Sequence, residues 1–361
     1  MAGELKAEIS REFVTSVAEN LADECAAFDL DKFLLTTFDS SWKDLELKDR
    51  IRRVPSALGA SFAGDYPKSI EVLKRVSVGY SGLQALMFPE FVEQFGLEYW
   101  DESMDALTYF TSLCSSEFAV RPFIRLDQPR MMDQMLLWAH NNDHHIRRLA
   151  SEGCRPRLPW ASPLRRFIAD PEPVLPILNE LKNDSEEYVR RSVANNLNDI
   201  SKDHSDLALE LGQQWIDIST NTNWVVKHGL RTLLKRGNTD ALMLFGYASP
   251  DNIRINSVSL SNGSVRIGES GSVQFELLLK GNKSEKVRLE YAIDYLKANG
   301  KLSRKVFQAG ERLFESGAHF VSKKQAFRQM TTRKHYPGKH HLNIVVNGRV
   351  LASAEFDLLP E

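Results

Sequence analysis

Two hydrophobic periods divide the chain. Up to about residue 250 apolar side chains recur every three or four positions, the spacing of one helix face. Ile9, Phe13, Val17 and Leu21 repeat at four. Phe28 to Trp42 is a second mixture of apolar and polar positions, with Asp29 or Asp31 as its N-cap. Ile51, Val54 and Leu58, then Val72, Leu73 and Val76, predict a further helical pair between 44 and 80. Phe88-Pro89-Glu90-Phe91 predicts a helix with proline in its first turn, and Met104 to Leu113 another. The aromatics Trp42, Phe62, Tyr66, Phe91, Phe95 and Trp100 are expected to be helix-packing core. After Pro250 the period becomes 2. Val273, Phe275, Leu277 and Leu279 alternate, as do Val287, Leu289, Tyr291, Ile293 and Tyr295. Leu342, Ile344 and Val346 precede Asn347-Gly348, a hairpin turn, and Val350, Ala352, Ala354, Phe356 and Leu358 follow it. About seven strands in 110 residues predict a β-sandwich of immunoglobulin-like type. The expected organisation is multi-domain, an all-α array over 1–248 followed by an all-β sandwich over 252–361.

Within the helical part the pattern repeats. Phe118-Ala-Val-Arg121, His145-Ile-Arg-Arg148, Tyr188-Val-Arg-Arg191 and Val225-Val-Lys-His228 read as equivalent helix starts. Their apolar anchors Val120, Ile146, Val189 and Val226 lie 26, 43 and 37 residues apart. The last two spacings bracket a HEAT-type period, and the first is irregular. Asp184 with Glu187 predicts a capping box, and Thr222 or Asn223 a cap for the fourth helix. In a stacked array one stripe of each helix is buried and the other lines a concave face. That face is expected to carry Glu117, Arg121, Arg148, Glu152, Arg191, Asn195, Asp199, Lys227 and Arg231. Rows of bases with interspersed acids suit a groove that tracks phosphates and keeps a few carboxylates for chemistry.

The densest part of this pattern runs from His144 to Arg166. Between Arg147 and Arg166 there are six arginines and one acid, Glu152. Asn142 and Asp143 are N-cap types, Ile146, Leu149 and Ala150 share a stripe, and Arg148 and Glu152 share a helix face. Gly153 is expected to end the helix. Pro156 and Pro159 then forbid its continuation, so Arg155, Arg157 and Trp160 belong to a loop.

Charge refines the picture. The net charge of -2 conceals an acidic first third and a basic last one. Residues 1–116 hold 11 Lys+Arg and 20 Asp+Glu; residues 251–361 hold 18 and 11. Any nucleic-acid contact must therefore come from local patches. In the sandwich the bases are expected in turn-rich stretches, at Lys323, Lys324, Arg328, Arg333, Lys334 and Lys339, with Arg333 and Lys334 as DNA contacts. Three widely spaced cysteines exclude a disulfide framework and fit a reducing cytosol. The first residues are mixed in charge, and no apolar run reaches bilayer length, so no membrane partner is expected. His140, His144 and His145, and His335, His340 and His341, lack any regular ligand spacing. They are read as exposed turn histidines, with no metal. Phosphate loops and a serine nucleophile elbow are absent from the sequence.

Asp143-His-His-Ile-Arg-Arg-Leu-Ala-Ser-Glu-Gly-Cys-Arg-Pro-Arg-Leu-Pro-Trp160, followed by Glu187-Tyr-Val-Arg-Arg-Ser-Val-Ala-Asn-Asn-Leu-Asn-Asp199, closely resembles the AlkC branch of the AlkC/AlkD alkylpurine DNA glycosylases. Arg-Pro-Arg-Leu-Pro-Trp is the specific part, and the resemblance covers residues 1 to about 250. The sandwich looks like the immunoglobulin-like extension that some AlkC members carry. The resemblance implies a HEAT-like superhelix holding duplex DNA on its concave face. It implies hydrolysis of the N-glycosidic bond of cationic N3-alkylated bases, 3-methyladenine and 3-methylcytosine, without base flipping. It places the active site at Glu117, Glu152, Asp199, Arg148 and Trp160. Arg121, Arg148, Arg155, Arg157, Arg190, Arg191, Asn195, Lys227 and Arg231 are then expected on the DNA. The implied enzyme is a monofunctional, cofactor-free monomer working on double-stranded alkylated DNA in the bacterial cytosol. Two other classes compete: a HEAT-like protein-interaction scaffold, and a nucleic-acid-binding module without chemistry. A scaffold groove would expose apolar anchors, whereas this face is Arg, Lys, Asn and acid; a mere binder has no use for Glu152.

Overall fold

The computed structural model describes residues 2–62, 64–330 and 334–361, and of residues 2–4 and 262 the backbone alone. Helices run from Ala2 to Leu244 and strands from Ile253 to Leu359. No helix among the described residues is long and apolar enough to cross a membrane. Two compact units result. One comprises Met1–His204 and Trp215–Gly229; the other comprises Ser205–Gln214 and Leu230–Glu361.

In the first unit short polar side chains set where helices begin. Ser10, Asp29, Asp65, Asp127 and Asp143 each accept a backbone N–H at the start of the helix that follows. Asp29, not Asp31, caps the helix Leu30–Thr37. The expected repeat at four is buried at Ile9, Val17 and Leu21. An element repeatedly packs on the one two or three places along the chain. Arg11–Glu24 packs on Tyr66–Ser77, and that on Trp100–Phe110. Beside them Leu47–Ser61 packs on Met87–Phe95. Further on, His144–Gly153 packs on Glu187–Ile200, and that on Thr220–Gly229. This is the expected HEAT-like array. Trp42, Phe62, Tyr66 and Phe91 are core. Phe95 is not: its ring lies at the surface over Gly59, where any Cβ would meet it.

Two expected caps are corrected. Asp184 does not cap the helix Glu187–Ile200, because its carboxylate is held by Arg147 and by the N–H of Glu186. Glu187 pairs with Arg191 instead. Thr222 and Asn223 lie inside the helix Thr220–Gly229, and Ser219 is the capping side chain, accepting from Thr222 N at 3.1 Å. Val225 to His228 therefore ends a helix rather than starting one. The helix that carries Lys227 stops at Gly229, and Arg231 opens the separate helix Arg231–Arg236.

The second unit holds an eight-stranded sandwich among the described residues: β1 (Ile253–Leu260), β2 (Ser264–Arg266), β3 (Ser270–Leu279), β4 (Glu285–Leu296), β5 (Leu302–Phe314), β6 (Gly317–Ala326), β7 (Gly338–Val346) and β8 (Arg349–Leu359). One sheet runs β1-β3-β6 and the other β2-β8-β7-β4-β5; among the described residues only β2 and β8 pair in parallel. The alternating residues of β3, β4 and β7 form its core. The alternation of β8 breaks at its start. A bulge between Ile344 and Val345 shifts the register by one residue, so Val350 faces solvent and Leu351 packs on the core. Lys323 and Lys324 stand on β6 rather than in a turn. Nor are all the sandwich histidines exposed. His340 is fully buried on β7, stacks on Phe356, accepts from Leu296 N through Nδ1 and approaches Tyr336 O at 3.1 Å through Nε2. Burial holds its pKa below the ordinary imidazole value.

The Asn347-Gly348 turn joins β7 to β8 with φ of 45° and 78°. Asn347 Oδ1 accepts from Arg288 N, and its Nδ2 donates to Ala248 O. Gly348 also touches Gly237, the left-handed residue that ends the helix Arg231–Arg236; a Cβ on Gly348 would lie 2.4 Å from Gly237 Cα. The last helices thus belong with the sandwich through a backbone contact that only two glycines permit. Gly348→Ala combines a disfavoured φ with this clash. It should destabilise the unit by about 1–3 kcal/mol, read as a lowered urea midpoint of the full chain.

Candidate active site

Two helices, a turn and a loop bring alternating charges into one row. Arg148 and Glu152 lie on one face of the His144–Gly153 helix, and Arg155 follows three residues later. Arg148 Nη1 donates to Glu117 Oε2 at 2.6 Å and to Ser115 Oγ at 2.6 Å. Arg148 Nη2 lies 3.5 Å from Glu152 Oε1, which accepts from Arg155 Nη1 at 2.7 Å. Arg155 Nε donates to Asp199 Oδ2 at 2.9 Å, and Lys202 Nζ to Asp199 Oδ1 at 2.9 Å. Glu152 and Asp199 are 5% and 1% exposed, so each acid relies on its cations. Although burial favours neutral Arg148 and Arg155, the Glu152 carboxylate with Glu117 or Asp199 outweighs it and holds both guanidinium pKa values above the ordinary range. Glu152 Oε2 has no hydrogen-bond partner among the described residues.

Close backbone approach makes the row possible. A Cβ on Gly153 would meet Val120 Cγ2 at 2.5 Å, so glycine lets the Val120–Leu126 helix bring Glu117 and Ser115 up to Arg148. Ser151 and Ser192 are small enough for their hydroxyls to meet at 2.7 Å between the His144 and Glu187 helices, and Asn196 Nδ2 donates to Ser151 O.

The loop after Gly153 presents Trp160. Arg121 is only 2% exposed, and its guanidinium is spent on carbonyls: Nη1 donates to Gly153 O and Arg155 O, and Nη2 to Ser162 O. It therefore fastens both ends of the loop. Burial, with the nearby Arg125 and Arg155, lowers its pKa to about 10. Leu164 N closes the loop onto Pro156 O at 3.0 Å. At the tip Trp160 is 62% exposed with φ 67°. A left-handed tryptophan costs about 1–3 kcal/mol and persists only where its surroundings hold it. Beside it a cavity of about 170 Å³ is lined by Lys48, Glu90, Phe118, Arg121, Arg125 and Trp160, among others. Burial, with Glu93 near, raises the Glu90 carboxyl to about 7 against the pull of Arg52.

Comparison with known proteins places the chain in a family. The uncharacterized protein YhaZ of Bacillus subtilis (strain 168) is 41% identical over 356 residues, spanning 98% of this chain and 99% of that one. The Pseudomonas fluorescens alkylpurine DNA glycosylase AlkC, solved bound to DNA containing an abasic site analog, superposes with a TM-score of 0.94 at 38% identity, over 98% of this chain and 99% of that one. The family model for the C-terminal Ig-like domain of uncharacterised protein YhaZ matches residues 254–360. This chain belongs to the AlkC branch of the AlkC/AlkD family.

In this AlkC-family chain the cationic residues separate into two groups. Three of the arginines expected on phosphates make contacts inside the protein. Arg121 holds loop carbonyls, Arg155 is buried between Glu152 and Asp199, and Arg190 Nη1 donates to Asp184 O and Ser185 O ahead of its own helix. Arg148 is likewise occupied by Glu117 and Glu152. Its guanidinium also lies 4.8 Å from the Tyr188 ring. Arg157 pairs with Asp203 and stays partly exposed, and Arg191 is exposed beside Glu187. Asn195 and Lys227 are half-buried in the helical unit. Arg231 belongs to the second unit, Lys334 is exposed near the Tyr336 ring, and Arg333 lies outside the described residues. Asp143, His144 and His145 bring three ligand atoms within 4.8 Å of one another, but Asp143 Oδ1 is already the helix cap. The positions that sequence reasoning missed are Ser115, Lys48 and the buried roles of Arg121 and Arg155. Only Arg155 had a local signal, its helical spacing from Glu152.

Arg155→Met would leave Glu152 and Asp199 buried beside an uncharged neighbour. It should cost about 3–5 kcal/mol, whereas Arg157→Ala should cost no more than about 1, both read by denaturant unfolding. Glu90 supplies a pH dependence of defined sign. Its folded pKa of about 7 exceeds the ordinary 4.5 of the unfolded chain, so its contribution is full below 4.5 and is lost as pH rises through 7. Glu90→Gln should therefore flatten the fall in stability between pH 4.5 and 7.5 in parallel melts.

Proposed function

We propose that this chain is a DNA glycosylase that releases cationic N3-alkylated bases, 3-methyladenine and 3-methylcytosine, from duplex DNA without flipping them. The observation that carries the reading is the row Glu117–Arg148–Glu152–Arg155–Asp199 beside an exposed tryptophan held in a left-handed conformation. The similarity to a DNA-bound AlkC supports duplex DNA as the partner.

The chemistry follows from the leaving group. A base that is already cationic needs no acid to protonate it. As the N-glycosidic bond breaks, its electron pair moves to the ring nitrogen and neutralises the base, while positive charge grows on the deoxyribose. Fixed carboxylates in a partly dehydrated site stabilise that charge without reorganising. Glu152 is the best placed to orient water, because both arginines grip Oε1 and leave Oε2 unengaged. Water adds its hydroxyl to C1′, its proton leaves through a carboxylate to solvent, and an abasic site and free base result. The π-face of Trp160 attracts the same developing cation. We place Arg157, Arg191, Asn195 and Lys227 along the flanking phosphates, and Lys334 with Arg333 as the sandwich's grip on the duplex. The enzyme on this reading is a monofunctional hydrolase, a monomer, and cytosolic.

Incubation with methylated duplex DNA and chromatography of the released bases tests the proposal. Glu152→Gln keeps an acceptor for Arg155. It should lower base release about 10²–10³-fold while binding to an abasic-site duplex stays unchanged. Trp160→Ala should slow release more than it weakens binding, because its attraction to the sugar grows toward the transition state. Release at the parent rate by both variants would remove the row and the indole from the mechanism.

A further inference from the structure

The acidic N-terminal third sends one cation to the Trp160 loop. Lys48 lies in the first turn of the helix Leu47–Ser61, and its Nζ donates to the carbonyl oxygen of Trp160, 112 positions away in sequence. The same ammonium stands 5.9 Å from the Trp160 ring centroid and 5.9 Å from that of Phe118. Phe118 adjoins Glu117, whose carboxylate closes one end of the charged row. Arg121 and Arg125 fasten the loop at Ser162 and Arg121 also at Gly153 and Arg155, but neither reaches its tip. At the tip the backbone is left-handed and the indole exposed, so a donor there decides where the ring points.

We propose that Lys48 is a positioning residue for base excision, acting through Trp160: it pins the loop tip by its hydrogen bond and holds one side of the indole by cation–π attraction, leaving the other face for the reacting sugar. This rests on the reading of Trp160 given above. The physical basis is that an exposed ring on a loop turns freely unless a neighbour restrains it, and that misplacement by an ångström at a reacting centre slows a reaction far more than it weakens binding. Lys48 is itself exposed and pairs with no member of the charged row, so its replacement leaves the buried ion pairs intact.

Two readouts test the proposal on the full chain. The first is the fluorine NMR spectrum of protein labelled with 5-fluorotryptophan at its six tryptophans, with Trp160→Phe assigning the loop signal. Lys48→Met should shift or broaden the Trp160 resonance and leave the other five in place; Lys48→Arg, which keeps a donor and a cation, should restore it. The second is single-turnover base release from methylated duplex DNA. Lys48→Met should slow release by about tenfold or more with little change in binding, and Lys48→Arg should recover most of the loss. In a Trp160→Ala background Lys48→Met should add less than about a twofold effect, because the ring it positions is gone. An unmoved Trp160 resonance, or losses that multiply in the double variant, would overturn the proposal. Should the parent chain release no base at all, the glycosylase reading falls, and the fluorine spectrum alone decides whether Lys48 sets the indole.

Discussion

A buried charge must meet an opposite one, and that requirement organises the helical unit. Glu152 and Asp199 lie where water barely reaches, and an unpaired carboxylate there would cost several kcal/mol. Arg155 stands between them, Arg148 joins Glu152 to Glu117, and Lys202 ends the row at Asp199. The row runs through four segments: the turn before Val120, the His144 helix, the loop after Gly153, and the Glu187 helix, with Glu117–Arg148 and Arg155–Asp199 as its long-range links. The helices cannot slide past one another without separating an acid from its partner. Gly153 and the Ser151–Ser192 contact exist at the points where the backbones must come closest.

The same constraint changes what arginine does here. A run of arginines next to a glycosylase-like motif reads as a phosphate clamp, yet the most buried of them are internal fittings. Arg121 replaces backbone hydrogen bonds that an irregular loop cannot make for itself, which is why its Nη1 and Nη2 end on carbonyls. With both loop ends fastened, the tip can hold a tryptophan in a conformation that favours glycine. Rigidity at the ends and strain at the tip together present one aromatic face in a defined place, the condition for an electrostatic contribution that needs no rearrangement.

The second unit solves a different problem. Its sheets leave edges, and its hairpin must turn within two residues. Asn347 and Gly348 supply the positive φ values, and the bulge beside them re-phases β8 so that Leu351 rather than Val350 reaches the core. The contact of Gly348 with Gly237 draws the helix Arg231–Arg236 into this unit. The change from helical to strand periodicity near residue 250 therefore marks where β1 begins, while the second compact unit also takes in Ser205–Gln214 and everything from Leu230 on.

Local patterning determined the succession of helices and strands, the caps at Asp29 and Asp143, the end of the helix at Gly153, the Asn347-Gly348 turn and the alternating core of the sandwich. Each is decided within a few residues by backbone sterics or by the period of apolar side chains. The acids of the site were legible for the same reason: Arg148 and Glu152 are one helical turn apart, and the Arg-Pro-Arg-Leu-Pro-Trp segment carries the family resemblance. Tertiary structure alone decided what each charge faces. Arg121 and Arg155 look like their exposed neighbours in sequence, and His340 looks like a turn histidine; only packing removed them from solvent. Lys48 carries no local signal, because its partner lies more than a hundred residues away. Charge and hydrogen-bonding capacity are properties of a residue, but burial and the identity of a partner are properties of the fold.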